Sequence, residues 1–394
     1  MYPEYIGEII CRLEKHGEKA YIVGGSLRDI LIGTTPHDYD IATSALPPKT
    51  AEIFSDKHVI QTGIKHGTVT VVWDGEPVEI TTFRIDGSYT DSRHPDSVSF
   101  TSDIVADLSR RDFTVNAMAY SQRDGLVDPF DGREDIERRT IRAVREPSER
   151  FREDALRIMR AFRFSAQLGF DIEQRTLEGI EQTREGLSNI ARERIGSEFL
   201  KLITCQSPAS SIMLMIKTGV LQYVLGDFLP SDRVVSQIEK MPNDIPSRLG
   251  FLLCEADEEK ARDILHSLRC STKQVTGAMA VARGSRKCVG TPVDARRLIA
   301  DTGVYALSAA RASELCGNSG EGAYELTKKQ ADTPCSLKEL KINGKALAEM
   351  GVKGKAIGEI LDRLMSAVID DPTKNDSELL KEMAIGIIDE RESK

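Results

Sequence analysis

Two carboxylates one residue apart, which follow a pair of glycines, are the residues of this chain best suited to chemistry. Gly24 and Gly25 end an apolar segment, and Asp38 and Asp40 follow a short helical segment. In a strand, side chains at positions i and i+2 point to the same face, so the two carboxylates would lie side by side. Such a pair repels unless a cation lies between its members, and Mg²⁺ commonly takes one or two carboxylates together with substrate phosphates.

The glycine pair adds a phosphate-binding element to this arrangement. A helix that begins at a Gly-Gly turn presents backbone N–H groups to a phosphate. Each feature alone is common, because glycine pairs form ordinary tight turns and Asp-x-Asp often lies in a solvated loop of an acidic chain. Their combination predicts a magnesium-dependent site for phosphoryl or nucleotidyl transfer.

The composition is typical of a globular protein with more than one domain. The chain has 394 residues, of which 40% are hydrophobic and 29% are charged. No apolar run approaches the length of a membrane span, and residues 1–5 lack the features of a secretory signal. The seven cysteines are scattered without a Cys-x-x-Cys pair, which argues against zinc and against a disulfide framework. We therefore predict a cytoplasmic protein with no membrane partner.

Charge is unevenly distributed along the chain. The formal net charge is −9 at pH 7, which argues against generic nucleic-acid binding. Between Arg138 and Arg163, however, nine arginines accompany only four carboxylates. This stretch is either a solvated helix with many ion pairs or a site for a polyanion. The use of arginine rather than lysine favours fork-like contacts to phosphates or base edges.

Strands and helices alternate in the first third of the chain. The pattern predicts strands at 20–23, 38–43, 68–73 and 78–83, and a helix at 47–54. Residues 74–77 join the last two strands as a hairpin. In the final strand, Glu79 would lie on the face opposite Val78 and Ile80.

The pattern becomes helical from about residue 135. On a helical wheel, one face carries apolar side chains, namely Ala155, Ile158, Met159, Phe162 and Ala166. Asp154, Arg157, Arg160 and Arg163 fall outside this face. We therefore predict a helix with one side in the core and one charged wall.

Several motifs in a fixed order carry a family resemblance, although no single motif is specific. They are Gly24–Asp29, His37–Thr43, Arg110–Asn116, Asp128–Gly132, Glu153–Arg163, Ala191–Ile195 and Asn343–Gly358. Because it has these motifs in this order, the chain resembles the class II CCA-adding tRNA nucleotidyltransferases, which share their head and neck with bacterial poly(A) polymerases.

The resemblance implies a fold and a domain order. An α+β nucleotidyltransferase head with a small mixed sheet would occupy residues 1–135. All-α segments would follow as a neck at 136–205, a body at 206–290 and a tail at 291–394. The neck would recognise the nucleotide base, and the tail would hold tRNA.

The resemblance also implies roles for individual residues. Asp38 and Asp40 would be catalytic and bind Mg²⁺, with Glu79 as a candidate third carboxylate. The nucleotide would be bound by Gly25, Arg28, Arg111, Asp154, Arg157, Arg160 and Arg163. Asp154 would accept a hydrogen bond from the exocyclic amine of cytosine or adenine, while Arg157 would donate to ring acceptors. Uracil and guanine present a carbonyl in place of that amine, so they would be rejected.

The glycine- and lysine-rich stretch near the C-terminus has two interpretations. Lys345, Lys353 and Lys355 could contact tRNA phosphates, or the stretch could be a plain packing corner between helices. The implied partners are tRNA, CTP and ATP, and the protein would be a monomer or a homodimer.

Three other functions remain open at the level of sequence. A poly(A) polymerase would extend general RNA ends, an A-adding enzyme would need a CC-adding partner, and a non-enzymatic module would only bind RNA. The polar loop at 86–95 resembles the full-length loop of enzymes that add the terminal A. It does not separate complete CCA addition from A addition alone.

Overall fold

The computed structural model describes residues 2–64, 67–87 and 98–392. It divides into two compact units, Met1–Gly226 and Asp227–Lys394. Residues 88–95 of the polar loop predicted at 86–95, on which the question of A addition depends, lie outside the described residues. Within the described ranges, no helix combines the length and the apolar character that crossing a bilayer requires.

The first unit begins with strands and short helices. These are α1 (Glu4–Lys15), β1 (Ala20–Val23), α2 (Gly24–Ile32), β2 (Asp40–Thr43), α3 (Pro47–Ile53), β3 (His58–Ile60), β4 (Thr68–Trp73), β5 (Glu76–Thr82), β6 (Arg84–Asp86), β7 (Val98–Phe100), α4 (Ile104–Ser109), β8 (Ala119–Ser121), β9 (Gly125–Val127), α5 (Gly132–Glu137) and β10 (Thr140–Ile141). Helices dominate the rest of the unit: α6 (Pro147–Glu153), α7 (Leu156–Leu168), β11 (Asp171–Ile172), α8 (Gln174–Thr183), α9 (Arg192–Ile203), α10 (Pro208–Lys217) and α11 (Gln222–Leu225).

A seven-stranded mixed sheet in the order β3-β4-β5-β2-β1-β8-β9 forms the centre of the head. β2 and β5 are parallel, and the other neighbours are antiparallel. All four residues of β1 are buried, because its alternate side chains enter hydrophobic clusters on both faces of the sheet. This burial fixes the end of β1, and with it the start of α2, at the centre of the molecule's first unit.

The predicted strand at 38–43 is shorter than expected. β2 begins at Asp40, and Asp38 lies in a bend before it. The expectation that both carboxylates project from one strand was therefore wrong. The Tyr39 side chain packs against the hydrophobic cluster on one face of the sheet. There its ring lies edge-on to Tyr5, with 6.4 Å between ring centroids. The packing of the half-buried tyrosine, rather than a strand, positions the chain between the two aspartates.

Helix α7 confirms the predicted apolar face, since its five predicted core residues are buried. Its start differs from the prediction. Asp154 has extended backbone angles at the junction of α6 and α7. It therefore lies outside the helix that carries Arg157. The Asp154 backbone N–H still donates to the Arg150 carbonyl, but the extended angles of Asp154 itself end α6 there.

The second unit is helical in its described part. Its helices are α12 (Asp232–Gln237), α13 (Ile245–Leu252), α14 (Glu258–Ser267), α15 (Thr272–Gly284), α16 (Pro292–Thr302), α17 (Ala306–Leu315), α18 (Ala323–Lys329), α19 (Gly344–Glu349), α20 (Lys355–Asp370) and α21 (Ser377–Glu392). Ser271 and Thr291 form capping boxes at two helix starts. Gly250 allows α13 to approach α15 closely, since a Cβ there would lie 2.5 Å from the Ala278 carbonyl oxygen.

Short 3₁₀ turns occur in both units. They lie at Thr114–Asn116, Arg184–Asn189, Ile238–Lys240, Gly303–Tyr305, Leu337–Glu339 and Pro372–Lys374. The architecture, an α+β head with a small mixed sheet followed by helices, confirms the predicted fold class. The finer division at 135, 205 and 290 stays a prediction, because the compact units meet at Gly226 and Asp227.

Candidate active site

A polar pocket of about 660 Å³ lies where the sheet of the head meets α7. Its walls consist of Gly24, Gly25, Arg28, Asp38, Asp40, Arg111, Asp112, Asn116, Asp154, Arg157, Arg160, Arg163, Phe164 and Gln167. Nine of the predicted site residues are in this set. The structure therefore brings together residues from four separate motifs, with five arginines and four aspartates around one cavity.

The start of α2 is open because Gly24 has no side chain. Its φ of +69° belongs to the left-handed region, and a Cβ there would lie 2.9 Å from Arg111 Nη1 and 3.6 Å from Asp40 Oδ2. No side chain caps this helix, so its first backbone N–H groups stay available. Glycine at this position lets a cation and a carboxylate both approach a free helix N-terminus.

The three candidate carboxylates are not equally placed. Asp38 and Asp40 line the pocket, whereas Glu79 does not. Glu79 pairs in register with Asp40 on the neighbouring parallel strand β5, and its side chain is exposed. Desolvation raises the pKa of Asp40, and the charges of Glu79 and Asp38 raise it further, while Arg111 opposes the shift. Negative charge is thus concentrated at this end of β2.

Asp38 and Asp40 together could bind a divalent cation, but the protein does not surround that position with its own ligands in the described ranges. No group of three or more His, Cys, Asp or Glu side chains is arranged to hold a metal within the described ranges. Asp38 and Asp40 could supply two oxygen ligands, which leaves the remaining positions to substrate oxygens and water. Burial is the main cause of the raised pKa of Asp40, with smaller contributions from the charges of Glu79 and Asp38, and a cation bound there would favour the charged carboxylate.

Arg28 and Arg111 approach the pocket from different elements. Arg28 is only 4% exposed, and it donates through Nη1 to Asn116 Oδ1 at 2.8 Å and through Nε and Nη2 to Asp29. Arg111 donates to Asp107 at 3.3 Å, and among the described residues its buried Nε has no hydrogen-bond partner. Both guanidiniums are anchored on one side and face the pocket with spare donor capacity.

The two residues predicted to read the base, Asp154 and Arg157, line the same pocket near the junction of α6 and α7. Arg157 Nη1 donates to Glu153 at 2.9 Å, and Arg157 Nη2 donates to the Arg110 carbonyl at 3.0 Å. Asp154 accepts from the Leu156 backbone N–H at 3.1 Å and from Arg194 at 3.3 Å. Each side chain is held in place while keeping donors or lone pairs for a ligand.

Asp112 and Arg160 form a buried ion pair in the pocket wall. Asp112 is 8% exposed and accepts from Arg160 Nε at 2.7 Å and from Asn116 at 3.2 Å. Burial alone would raise the pKa of Asp112, but the charge and hydrogen bond of Arg160 hold it at about 2. Arg160 in turn has its pKa raised, chiefly by Asp112.

This ion pair predicts a pH dependence of stability. The folded pKa of about 2 lies below the ordinary value of 3.8, so the stabilisation is present above pH 4 and is lost as the pH falls toward 2. The shift corresponds to about 2 kcal/mol in the free energy of unfolding. In denaturant unfolding of the wild type and Asp112→Asn, the difference in midpoint should shrink as the pH falls from 6 to 3. A constant difference would contradict the assignment.

Sequence reasoning did not assign several residues to the site individually. Phe164 and Gln167 line the pocket, as do Asp112 and Asn116 of the motif Arg110–Asn116, and Arg194 holds Asp154 from α9. A signal for Phe164 was present, because at 3.6 residues per turn it falls among the arginines rather than on the apolar face. Arg194 belongs to the motif Ala191–Ile195, but no local pattern indicated that its partner is Asp154, 40 positions away.

The predicted tRNA-binding lysines belong to the second unit. Lys345, Lys353 and Lys355 are all exposed. The segment that carries them packs its apolar side chains into the cluster of α19, α20 and α21, and Asn343 caps the start of α19. The stretch is thus a packing corner between helices, as one of the two interpretations held. Its lysines still face solvent.

Three family models match the chain in consecutive segments. The Poly A polymerase head domain matches residues 20–142. A model for an RNA- and SrmB-binding site of polymerase A matches residues 169–230, and one for domain 2 of tRNA nucleotidyltransferases matches residues 249–384. The order of the three segments agrees with the order of motifs along the sequence.

Relatives match over nearly the whole length. A CCA-adding enzyme of Ligilactobacillus salivarius is 36% identical, over 97% of this chain and 96% of its own length. One of Geobacillus kaustophilus is 37% identical, over 94% of this chain and 93% of its own. The crystal structure of the Bacillus stearothermophilus CCA-adding enzyme in complex with CTP is 33% identical, with a TM-score of 0.82 and complete coverage of both chains. By identity, coverage and fold, this chain belongs to the CCA-adding enzymes, a family of tRNA nucleotidyltransferases.

Proposed function

We propose that this protein adds cytidine, cytidine and adenosine to the 3′ end of tRNA, using CTP and ATP and releasing pyrophosphate. The observation that carries the proposal is the single pocket that combines Asp38 and Asp40 with Arg28, Arg111 and Asp154. Carboxylates, phosphate-binding cations and a polar base-recognition group are what a nucleotidyl transfer reaction needs in one place.

The phosphate end of the nucleotide is assigned to the helix start and its neighbours. The N–H of Gly25 and the guanidinium of Arg28 would bind the triphosphate, and Arg111 would neutralise a further oxygen. Arg160 and Arg163 would extend the positive wall. These contacts stabilise the charge that moves onto pyrophosphate as the bond between the α-phosphorus and the bridging oxygen breaks.

Asp38 and Asp40 would bind Mg²⁺, and Glu79 remains a candidate third carboxylate. A divalent ion bound there supplies charge neutralisation at the attacking oxygen and at the triphosphate. The 3′-oxygen of the RNA forms its new bond to the α-phosphorus and loses its proton toward this acidic cluster. Pyrophosphate leaves with the electron pair of the broken bond.

Base selection is assigned to Asp154 and Arg157. Arg157 donates three hydrogen bonds, to the Arg150 carbonyl, to Glu153 and to the Arg110 carbonyl, so two of its five N–H donors remain for ring acceptors. Asp154 keeps lone pairs for the exocyclic amine that cytosine and adenine share. A uracil or guanine carbonyl would face an acceptor instead, at a cost of about 1–3 kcal/mol for the unmade hydrogen bond.

The exposed Lys345, Lys353 and Lys355 are proposed to contact the tRNA backbone. Lysine binds phosphate as a point charge, so these contacts would add affinity without reading sequence. A cytoplasmic location and a monomeric or homodimeric state stay predictions.

Incorporation of nucleotides by the purified full chain tests the function. The assay uses a tRNA transcript that lacks CCA, Mg²⁺ and each nucleoside triphosphate in turn, with products sized on a gel. We expect CTP alone to add two residues and CTP with ATP to add three and stop. Failure to incorporate both CMP and AMP would contradict the proposal.

The same assay separates the alternatives. An open-ended adenosine tract on an unrelated RNA would indicate a poly(A) polymerase. Incorporation of AMP only, and only on a transcript that already ends in CC, would indicate an A-adding enzyme that needs a partner. A chelator control on the wild type should abolish every product if the metal assignment holds.

A further inference from the structure

One aromatic ring lies among the arginines of the pocket. The guanidinium carbons of Arg28, Arg160 and Arg163 lie 5.3, 5.1 and 4.0 Å from the centroid of the Phe164 ring. Each distance is within the range over which the negative face of an aromatic ring attracts a cation. Phe164 lines the pocket although only 5% of its surface is exposed.

The ring has little freedom to move. Phe113, which is fully buried, packs edge-on against it with 5.8 Å between ring centroids and 80° between ring planes. Arg28 comes from α2 in the head, whereas Arg160 and Arg163 precede Phe164 on α7. A single fixed ring is thus the common neighbour of cations from two separate elements.

The ring and the carboxylates act on these arginines in different ways. Arg28 pairs with Asp29, Arg160 with Asp112 and Arg163 with Glu198. A carboxylate occupies donors of its arginine partner and offsets part of its charge. The uncharged ring attracts the same guanidiniums without adding a further negative charge or occupying their N–H donors, so the remaining donors stay available to an anionic ligand.

We propose that Phe164 is a positioning residue that holds Arg28, Arg160 and Arg163 as one phosphate-binding set. This inference rests on the proposed function, since the anion is taken to be the triphosphate of CTP or ATP. The triphosphate is common to both nucleotides, so the ring contributes equally to the binding of each. Base choice, which is assigned to Asp154, does not depend on it.

The test compares Phe164→Leu with Phe164→Tyr, which keeps the ring. Equilibrium binding of CTP, ATP and pyrophosphate to the full chain is measured by titration calorimetry. The leucine variant should raise the Kd for all three ligands by a similar factor of about ten, while the tyrosine variant stays within about twofold of the wild type. In turnover, KM for both nucleotides should rise more than kcat falls.

Phe162→Leu is the matched control, because Phe162 is fully buried on the apolar side of the same helix. It should lower the melting temperature without a selective change in Kd. If Phe164→Leu does not fold, Phe164→Met provides the ring-free variant. Thermal unfolding of each protein verifies that binding is compared between folded chains.

Three results would overturn the proposal. One is an unchanged Kd in the leucine variant, and another is an equal loss in the leucine and tyrosine variants. The third is a loss for ATP that exceeds the loss for CTP with pyrophosphate unaffected, since the ring would then stack on the base. Failure of the wild type to incorporate CMP and AMP would count against the proposed function instead.

Discussion

Replacing Asp40 by asparagine is expected to lower the rate of nucleotidyl transfer by roughly a thousandfold or more, while tRNA affinity stays unchanged. Asparagine keeps the shape of the side chain but removes the charge that would hold a divalent cation beside Asp38. The Arg111 guanidinium also keeps its anchor on Asp107, so the phosphate-binding side of the pocket remains. Single-turnover rates at saturating CTP, together with filter binding of tRNA, measure the two quantities separately.

Asp74→Asn is a suitable control for this change. Asp74 is exposed in the turn between β4 and β5, where its positive φ is tolerated by asparagine, and it pairs only with Lys57 in the described ranges. This variant should transfer nucleotides at the wild-type rate. Substantial turnover in Asp40→Asn, or in the corresponding variant of Asp38, would refute the assignment of the metal site.

Replacing Asp154 by alanine is expected to reduce discrimination against UTP by about a hundredfold. Without the carboxylate, no acceptor faces the exocyclic amine of cytosine, and none opposes the carbonyl of uracil. Phosphate binding should change little, because Arg28 and Arg111 do not contact Asp154 in the described structure. The measured quantity is the ratio of kcat/KM for CTP to that for UTP on a tRNA without CCA.

Two further variants make the base-reading prediction sharper. Asp154→Asn keeps an acceptor for Arg194 but adds a donor, so preference should move toward UTP beyond the level of the alanine variant. Asp171→Ala removes an exposed carboxylate from β11, at the other end of α7, and should leave selectivity unchanged. If Asp154→Ala still rejects UTP as well as the wild type does, another group reads the base.

Local patterns in the sequence predicted much of the structure. The apolar segment at Ala20–Val23, the turn at Asp74–Gly75 and the buried face of α7 were predictable because each depends on neighbouring residues. The association of the motifs in one pocket was implied by the family resemblance, not by the local patterns. The geometry around Gly24 agrees with it, since both Arg111 and Asp40 approach the missing Cβ.

What could not be predicted depends on contacts between distant residues. Strand order depends on which edges meet, so the parallel pairing of Asp40 with Glu79 has no local signature. The helical pattern predicted that Asp154 belongs to the helix, but its backbone is extended. Its carboxylate accepts a hydrogen bond from Arg194, which lies far along the chain on α9. In the arginine-rich stretch, Arg160 and Arg163 pair with carboxylates and also line the pocket, so the two interpretations of this stretch do not exclude each other.

The order of strands in the sheet has a consequence for the growing chain. β1 lies between β2 and β8, so one edge of β1 has no neighbour until residues 119–121 have left the ribosome. The parallel pairing of β2 with β5 also requires a crossover, which slows folding relative to a hairpin. A nascent chain that stops before β8 exposes an open strand edge, which is a template for aggregation. Ribosome stalling in this interval is therefore more hazardous than stalling within the helical second unit, whose contacts form between neighbouring helices.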